Sequence, residues 1–112
     1  MTEFTPHLAR VRVQKGAELL DQLVHNWRSK IDLGRLEMSL PYRCILGQLA
    51  EDITGVPDAR YNDAETYLLN ALGITPDEYG FELPPSAYMS LFNNDREAGW
   101  EFLRQAWIDE IE

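Results

Sequence analysis

The stretch that decides the fold is "VQKGAELLDQLVHNWRSKI", residues 13–31. Its polar residues, among them Glu18, Asp21 and Arg28, fall mostly on one side of a helix. Its apolar residues recur at intervals of three and four and share the other side: Ala17, Leu19, Leu20, Leu23, Val24, Trp27 and Ile31. The spacing predicts an amphipathic helix from about Val13 to about Ile31, packed on a core by one broad face.

A second helix is predicted in "SLPYRCILGQLAEDITG", residues 39–55. Ser39 can accept a hydrogen bond from a helix start, and Pro41 suits the first turn, so we expect the helix to begin at residue 40 or 41. Gly55 is a typical helix stop. Gly47 lies inside the apolar run, where glycine costs about 1 kcal/mol relative to alanine, and this favours close approach of another helix.

The rest of the chain predicts further helical pieces. Asn62 and Glu65 have the spacing of a capping box. They precede an apolar stripe of Ala64, Tyr67, Leu68, Ala71 and Leu72, which Gly73 ends. A short helical turn follows Thr75, a short helix is expected from Ser86, and a final helix runs from Asn94 to about Ile111.

These elements predict an all-α fold, a small irregular bundle of four to six helices, with one minor β element left open at 31–38 or 79–84. Residues 1–12 carry few packing signals and are expected to form a partly ordered N-terminal arm. Residues 13–112 are expected to form a single helical domain. The predicted core consists of Leu20, Val24, Trp27, Cys44, Ile45, Leu46, Leu49, Trp100, Leu103 and Trp107.

The charge is strongly acidic, with 10 basic against 19 acidic residues and a formal net charge of −9. Such a surface repels a phosphate backbone, so direct nucleic-acid binding is not expected. The charge is also uneven. Residues 1–30 have five Lys or Arg and three Asp or Glu, a net +2, whereas residues 31–112 have five and sixteen, a net −11.

The chain has one cysteine and no long apolar segment. A single cysteine cannot form an intramolecular disulfide, and the N-terminal residues lack the apolar stretch of a secretory signal, so we expect a reducing cytoplasm. No window approaches the roughly 18 to 20 apolar residues that cross a bilayer, and no membrane partner is expected.

Catalytic and cofactor patterns are weak. Cys44 would need a nearby base to act as a nucleophile, and the two histidines, His7 and His25, are far from it in sequence. These three residues also lack the paired spacing of a zinc site, and the glycines form no phosphate-binding loop. We therefore expect a buried, unreactive Cys44, with no catalytic residue, metal or cofactor and no enzyme activity.

Two groups of residues are candidates for a protein interface. Tyr88, Met89, Leu91 and Phe92 are apolar on more sides than a short surface helix can bury. The last helix carries the carboxylates Glu97, Glu101, Asp109 and Glu110, which suit a basic partner. The apolar group suits self-association equally well, so a homo-oligomer stays open.

Three segments carry a family resemblance: "GAELLDQLVHNWRSKIDLGRLEMSLPYRCILGQLAED", "LGITPDEYGF" and "WEFLRQAWIDEIE". Together they resemble small acidic proteins encoded by actinobacteriophages, a group of unassigned function that supplies no catalytic residue. The resemblance implies a phage-associated protein acting in the host cytoplasm. After Leu49 the chain departs from the family pattern, which makes the loop at 54–62 specific to this member.

The leading hypothesis is a non-enzymatic accessory protein that binds a host or phage protein through a helical acidic and apolar surface. One alternative is an inhibitor that mimics nucleic acid and occupies a DNA- or RNA-binding protein. A second is an oligomeric structural or assembly component. A Cys44-dependent enzyme is the least favoured.

Overall fold

The chain folds into helices joined by short connections. The structure, a computed structural model, describes residues 4–85 and 93–112, without the side chains of 93–95. Within these residues it contains five α-helices, two 3₁₀ turns at Leu33–Arg35 and Pro76–Tyr79, and no strand. The helices are α1 (Pro6–Leu23), α2 (Trp27–Lys30), α3 (Ile45–Thr54), α4 (Tyr61–Leu72) and α5 (Asn93–Ile111). The all-α prediction is confirmed.

The first helix begins earlier than predicted. Thr5 caps α1, its hydroxyl oxygen accepting a hydrogen bond of 3.2 Å from the amide of Leu8, and Pro6 occupies the first turn. Ala9 is fully buried. Residues 6–12 therefore belong to a packed helix, and the prediction of an N-terminal arm over residues 1–12 is wrong for this part.

The same helix ends earlier than predicted, at Leu23 instead of Ile31. Val24 is extended and Asn26 is left-handed with φ 57°, which separates α1 from the single turn of α2. Val24 and Trp27 are nevertheless buried as predicted. The apolar spacing identified the buried residues correctly but could not show the break between them.

The third helix also begins later than predicted, at Ile45. Its cap is Cys44, whose sulfur accepts a hydrogen bond of 3.2 Å from the Gly47 amide, while residues 39–43 form turns. A side chain on Gly47 would overlap the carbonyl oxygen of Pro41. The absence of a side chain at Gly47 therefore makes room for the loop that precedes α3, and not for another helix as predicted.

Gln48 explains how this loop is held. Its side-chain amide donates to the carbonyl oxygens of Arg43, at 2.9 Å, and of Asp32, at 3.3 Å. Its side-chain oxygen accepts a hydrogen bond of 2.7 Å from the Asp32 amide. One side chain thus ties the two ends of the connection between α2 and α3 to the first turn of α3.

The fourth helix begins at Tyr61 and not behind a cap at Asn62. The Asp63 carboxylate accepts a hydrogen bond of 2.9 Å from the Arg60 amide at the helix start. Ala64 and Leu68 are buried, and Gly73 ends the helix as predicted. The rest of the predicted stripe differs, because Tyr67 and Leu72 are 38% and 43% exposed.

The helices form two main pairs, α1 against α5 and α3 against α4, and the 3₁₀ turn at 76–79 contacts both α1 and α4. Between them lies one hydrophobic core. Trp107 sits in it edge-on to Trp27, with ring centroids 5.8 Å apart, and stacked on Phe81 at 5.5 Å. The predicted core residues are buried except Trp100, which is half-buried.

Candidate protein-binding surface

The predicted acidic residues of the last helix form part of a row along α5. Glu97, Glu101, Gln105 and Asp109 are exposed and follow one another at intervals of four residues. This spacing places them along one side of the helix, over about 18 Å at 1.5 Å per residue. We call these four residues the acidic row.

A groove of about 260 Å³ runs beside the acidic row. Pro6 and Arg10 of α1 line one wall, and Glu101, Gln105 and Asp109 line the other. Phe102 and Ala106 supply apolar surface between the two helices, and both belong to or pack against the core. The site therefore combines apolar contact with carboxylates along one edge.

Two carboxylates of this edge already have partners on their own helix. Glu101 forms an ion pair of 3.3 Å with Arg104, and its side chain is 63% exposed. Asp109 accepts a hydrogen bond of 3.0 Å from the Gln105 side chain. Exposed pairs of this kind contribute about 0–1 kcal/mol, so a partner's cation can replace them at little cost.

Glu110 does not belong to this surface. Its carboxylate forms an ion pair of 3.1 Å with Arg28, which also binds the carboxylate of Asp21 at 2.8 Å. Asp21 accepts a second hydrogen bond of 2.8 Å from the indole nitrogen of Trp27. Through Arg28, Glu110 therefore helps to connect α2 to α1 and α5. This contact within the protein gives no support to the prediction that Glu110 is an interface residue.

The predicted apolar interface residues, Tyr88, Met89, Leu91 and Phe92, lie outside the described residues. Other exposed apolar side chains occur on α4, where Tyr67, Leu69 and Leu72 are 38%, 45% and 43% exposed. Leu69 was not part of the predicted stripe. This face of α4 is separate from the residues that line the groove.

A second cavity, of about 370 Å³, lies at the junction of α1 and α2. Its lining includes Asp21, His25, Arg28 and Ser29. Asp21 and Arg28 bind each other there, and the Ser29 hydroxyl donates to the backbone oxygen of Asn26. The hydrogen bonds of these polar groups therefore stabilise the junction of α1 and α2.

Cys44 is 2% exposed, as predicted. Burial raises the pKa of its thiol to about 11, although the amide of Gly47 acts in the opposite direction. His7 and His25 are exposed, one in α1 and one beyond its C-terminal end. A buried thiol that stays protonated fits the role of a helix cap, whereas a nucleophile requires an accessible thiolate.

Of the residues that line the groove, the sequence predicts Glu101 and Asp109 as interface candidates but misses the others: Pro6, Arg10, Phe102, Gln105 and Ala106. Pro6 and Arg10 belong to the predicted N-terminal arm, although Thr5 followed by Pro6 is a recognisable helix start. The two apolar α5 residues, Phe102 and Ala106, each come directly before a predicted core position, Leu103 and Trp107. Only the packing of α1 on α5 shows that they line a groove.

The residues that the structure describes contain no group of three or more His, Cys, Asp or Glu side chains arranged to hold a metal ion. In that same part of the chain, none of the helices has the length and apolar character needed to cross a membrane. Comparison with protein-family models, with curated proteins and with solved structures gives no match.

Proposed function

We propose that this protein is a non-enzymatic, phage-associated accessory protein that binds a basic segment of a host or phage protein in the groove between α1 and α5. The phage association rests on the sequence resemblance. The binding mode rests on one observation, the carboxylates of Glu101 and Asp109 beside the apolar surface of Phe102 and Ala106.

This combination fits the side chain of lysine or arginine. Such a side chain has an apolar stem that packs on hydrophobic surface and a charged head that stays near water and counter-charges. The stem would cover Phe102 or Ala106, and the head would lie beside Glu101 or Asp109, which are about 12 Å apart along the helix, so that two basic side chains can occupy the edge together. The formal net charge of −9 would also accelerate the approach of a basic partner.

Arg10 on the facing wall restricts the partner further. A basic side chain that approached this wall would be repelled, whereas a carboxylate would be attracted. The fitting segment therefore presents its basic residues toward α5 and an acidic or neutral residue toward α1.

The test begins with affinity capture from bacterial host cytoplasm and continues with the purified partner. The double variant Glu101→Lys and Asp109→Lys is compared with wild type and with Glu18→Lys, an exposed glutamate of α1 outside the groove lining. We expect the double variant to bind at least about tenfold more weakly, equivalent to about 1.4 kcal/mol, and Glu18→Lys to bind like wild type. Equal binding by all three proteins would refute the proposed surface.

A second candidate function is nucleic-acid mimicry, which the acidic row favours by placing the carboxylates of Glu97, Glu101 and Asp109 along one side of α5, about 6 Å and then about 12 Å apart along the helix. In that case the partner is a DNA- or RNA-binding protein, and a duplex would displace this chain from it. A protein partner that binds this chain and a duplex at the same time would exclude mimicry. Light scattering of the purified chain separates both functions from the oligomeric assembly component, which requires a stable oligomer.

A further inference from the structure

A phenol lies between two carboxyl groups where α4 meets the segment that follows the second 3₁₀ turn. The hydroxyl oxygen of Tyr61 is 2.9 Å from Oε2 of Glu65, one turn further along α4. It is also 2.7 Å from Oε2 of Glu82, which follows Phe81. Both contacts are short enough to be hydrogen bonds, and all three residues are half-buried.

The two contacts of Tyr61 require one proton in addition to the hydrogen of the phenol itself. A phenol donates one hydrogen bond, and an ionised carboxylate can only accept. If the Tyr61 hydroxyl donates to one carboxylate, the other contact needs a protonated carboxyl group that donates to the phenol oxygen. One of the two glutamates therefore carries a proton when both contacts are formed.

The surroundings favour Glu82 as the residue that holds this proton. Its burial raises its pKa above the ordinary value of 4.5, and the negative charges of Glu65 and Asp77 together with a hydrogen bond to Glu65 raise it further. A hydrogen bond donated by Tyr61 to the ionised Glu82 carboxylate acts in the opposite direction. Burial, together with Glu82 and Glu65, also raises the pKa of Tyr61, so the phenol keeps its hydrogen. Burial, and to a lesser extent the charge of Glu82, raises the pKa of the Cys44 thiol at the start of α3.

We infer that Glu82, Tyr61 and Glu65 form a proton-dependent latch, closed when Glu82 is protonated and weakened when Glu82 loses its proton. In the closed form, the Glu82 carboxyl donates to the phenol oxygen and the phenol donates to Glu65. In the ionised form, two carboxylates compete for one hydroxyl hydrogen beside Asp77, and repulsion opens the contact.

The position of Glu82 gives the latch its structural consequence. Its neighbours are buried in the core, where Phe81 stacks on Trp107 and Leu83 approaches Gly99 of α5. Its own side chain reaches α4 through Tyr61. The latch therefore joins the α3–α4 pair to the α1–α5 pair, and its state changes how firmly the two pairs hold together. The inference does not depend on the proposed function.

The direction of the pH effect follows from the raised pKa of Glu82. Between 4.5 and the folded-state value, the folded protein binds more protons than the unfolded chain. Stability from this group is therefore complete below pH 4.5 and is lost as pH rises through the folded-state value. Other carboxylates contribute in the opposite direction, so the effect must be isolated by comparison with a variant.

Glu82→Gln provides that comparison, because its amide donates to the phenol oxygen at every pH. We expect the variant and wild type to have similar thermal midpoints at pH 4.5, and the variant to become progressively more stable than wild type toward pH 7.5. Glu18→Gln, which removes an exposed carboxylate of α1, should show no such growing difference. A difference for Glu82→Gln that stays constant or shrinks with rising pH would overturn the inference.

A second measurement uses only the wild-type protein and remains decisive if the variant folds poorly. The side-chain carboxyl carbon of Glu82 is followed by NMR during a pH titration. We expect its midpoint above 4.5, with the Tyr61 ring signals shifting at the same midpoint. A Glu82 midpoint at or below 4.5, or Tyr61 signals that do not follow it, would show that no shared proton exists.

Discussion

The indole nitrogen of Trp107 donates a buried hydrogen bond of 2.7 Å to the carbonyl oxygen of Gly80. Gly80 has φ 75°, a left-handed backbone that glycine adopts without strain. A Cβ there would come within 2.8 Å of the backbone nitrogen of Val13. The turn after the 3₁₀ segment can therefore press against α1 and present its carbonyl group to the last helix.

Replacing Trp107 by phenylalanine should destabilise the protein substantially. The Gly80 carbonyl loses its donor while still buried, and the smaller ring leaves a cavity beside Trp27 and Phe81. We expect a loss of about 2–4 kcal/mol in the free energy of unfolding, measured with chemical denaturant. Trp100→Phe is the control, because Trp100 is only half-buried and should cost less. Equal costs for the two variants would contradict the importance of this hydrogen bond.

A second prediction concerns Gly47. Alanine is favoured over glycine inside a helix by about 1 kcal/mol, so Gly47→Ala would be stabilising if only helix propensity mattered. The added methyl group instead overlaps the Pro41 carbonyl oxygen, and the loop must move. We expect a net loss of about 1–3 kcal/mol in the free energy of unfolding.

The matched control for Gly47 is Gly34→Ala. There a Cβ would meet only the side chain of Asp32, at 3.4 Å, which is an ordinary contact. This variant should stay within about 0.5 kcal/mol of wild type. If Gly47→Ala is as stable as Gly34→Ala, the loop does not pack on α3 as described.

The sequence predicted the helical class and most of the core because apolar spacing reports which residues face inward. It predicted helix ends poorly, and α1 illustrates the reason. The stripe through Val24 and Trp27 continues across a break, since both residues are buried although the backbone between them is not helical. Burial constrains the side chains, whereas the break depends on the left-handed Asn26, which the stripe does not reveal.

The candidate surface was predictable only in part for a similar reason. Glu101 and Asp109 are visible in the sequence as carboxylates of an amphipathic helix. Phe102 and Arg10 become part of the same groove only because α1 starts at Pro6 and packs along α5. Contacts between residues more than 90 positions apart cannot be read from local spacing. The contact between Tyr61 and Glu82, which are 21 positions apart, likewise depends on how α4 packs and not on local spacing.

A third prediction concerns Asp21, which joins Trp27 and Arg28. Asp21→Asn keeps an oxygen that can accept from the Trp27 indole, whereas Asp21→Ala leaves this buried N–H without its partner. We expect Asp21→Ala to lose about 1–2 kcal/mol in the free energy of unfolding and Asp21→Asn clearly less. Denaturant unfolding at pH 7 measures both, and equal losses would show that the charge matters more than the indole contact.

Asp21 also makes the free energy of unfolding depend on pH in the acidic range. The indole hydrogen bond of Trp27, followed by that of Arg28, lowers the pKa of Asp21 below its ordinary value of 3.8. Its contribution is therefore complete above pH 3.8 and is lost as pH falls through the folded-state value. The stability difference between wild type and Asp21→Asn should shrink between pH 6 and pH 3. A difference that widens on acidification would contradict the lowered pKa.

The fourth prediction concerns Cys44, whose sulfur caps α3. A rise in the thiol pKa from 9.0 to about 11 reduces the thiolate fraction near neutral pH about a hundredfold, and burial further restricts access. We expect iodoacetamide to modify the folded protein at least about a hundredfold more slowly than the denaturant-unfolded chain, as followed by mass spectrometry. Rapid modification of the folded protein would instead indicate an accessible thiolate, the property that the Cys44-dependent enzyme hypothesis requires. Because the unfolded chain has the same thiol without its surroundings, the rate ratio measures the protection that the fold provides.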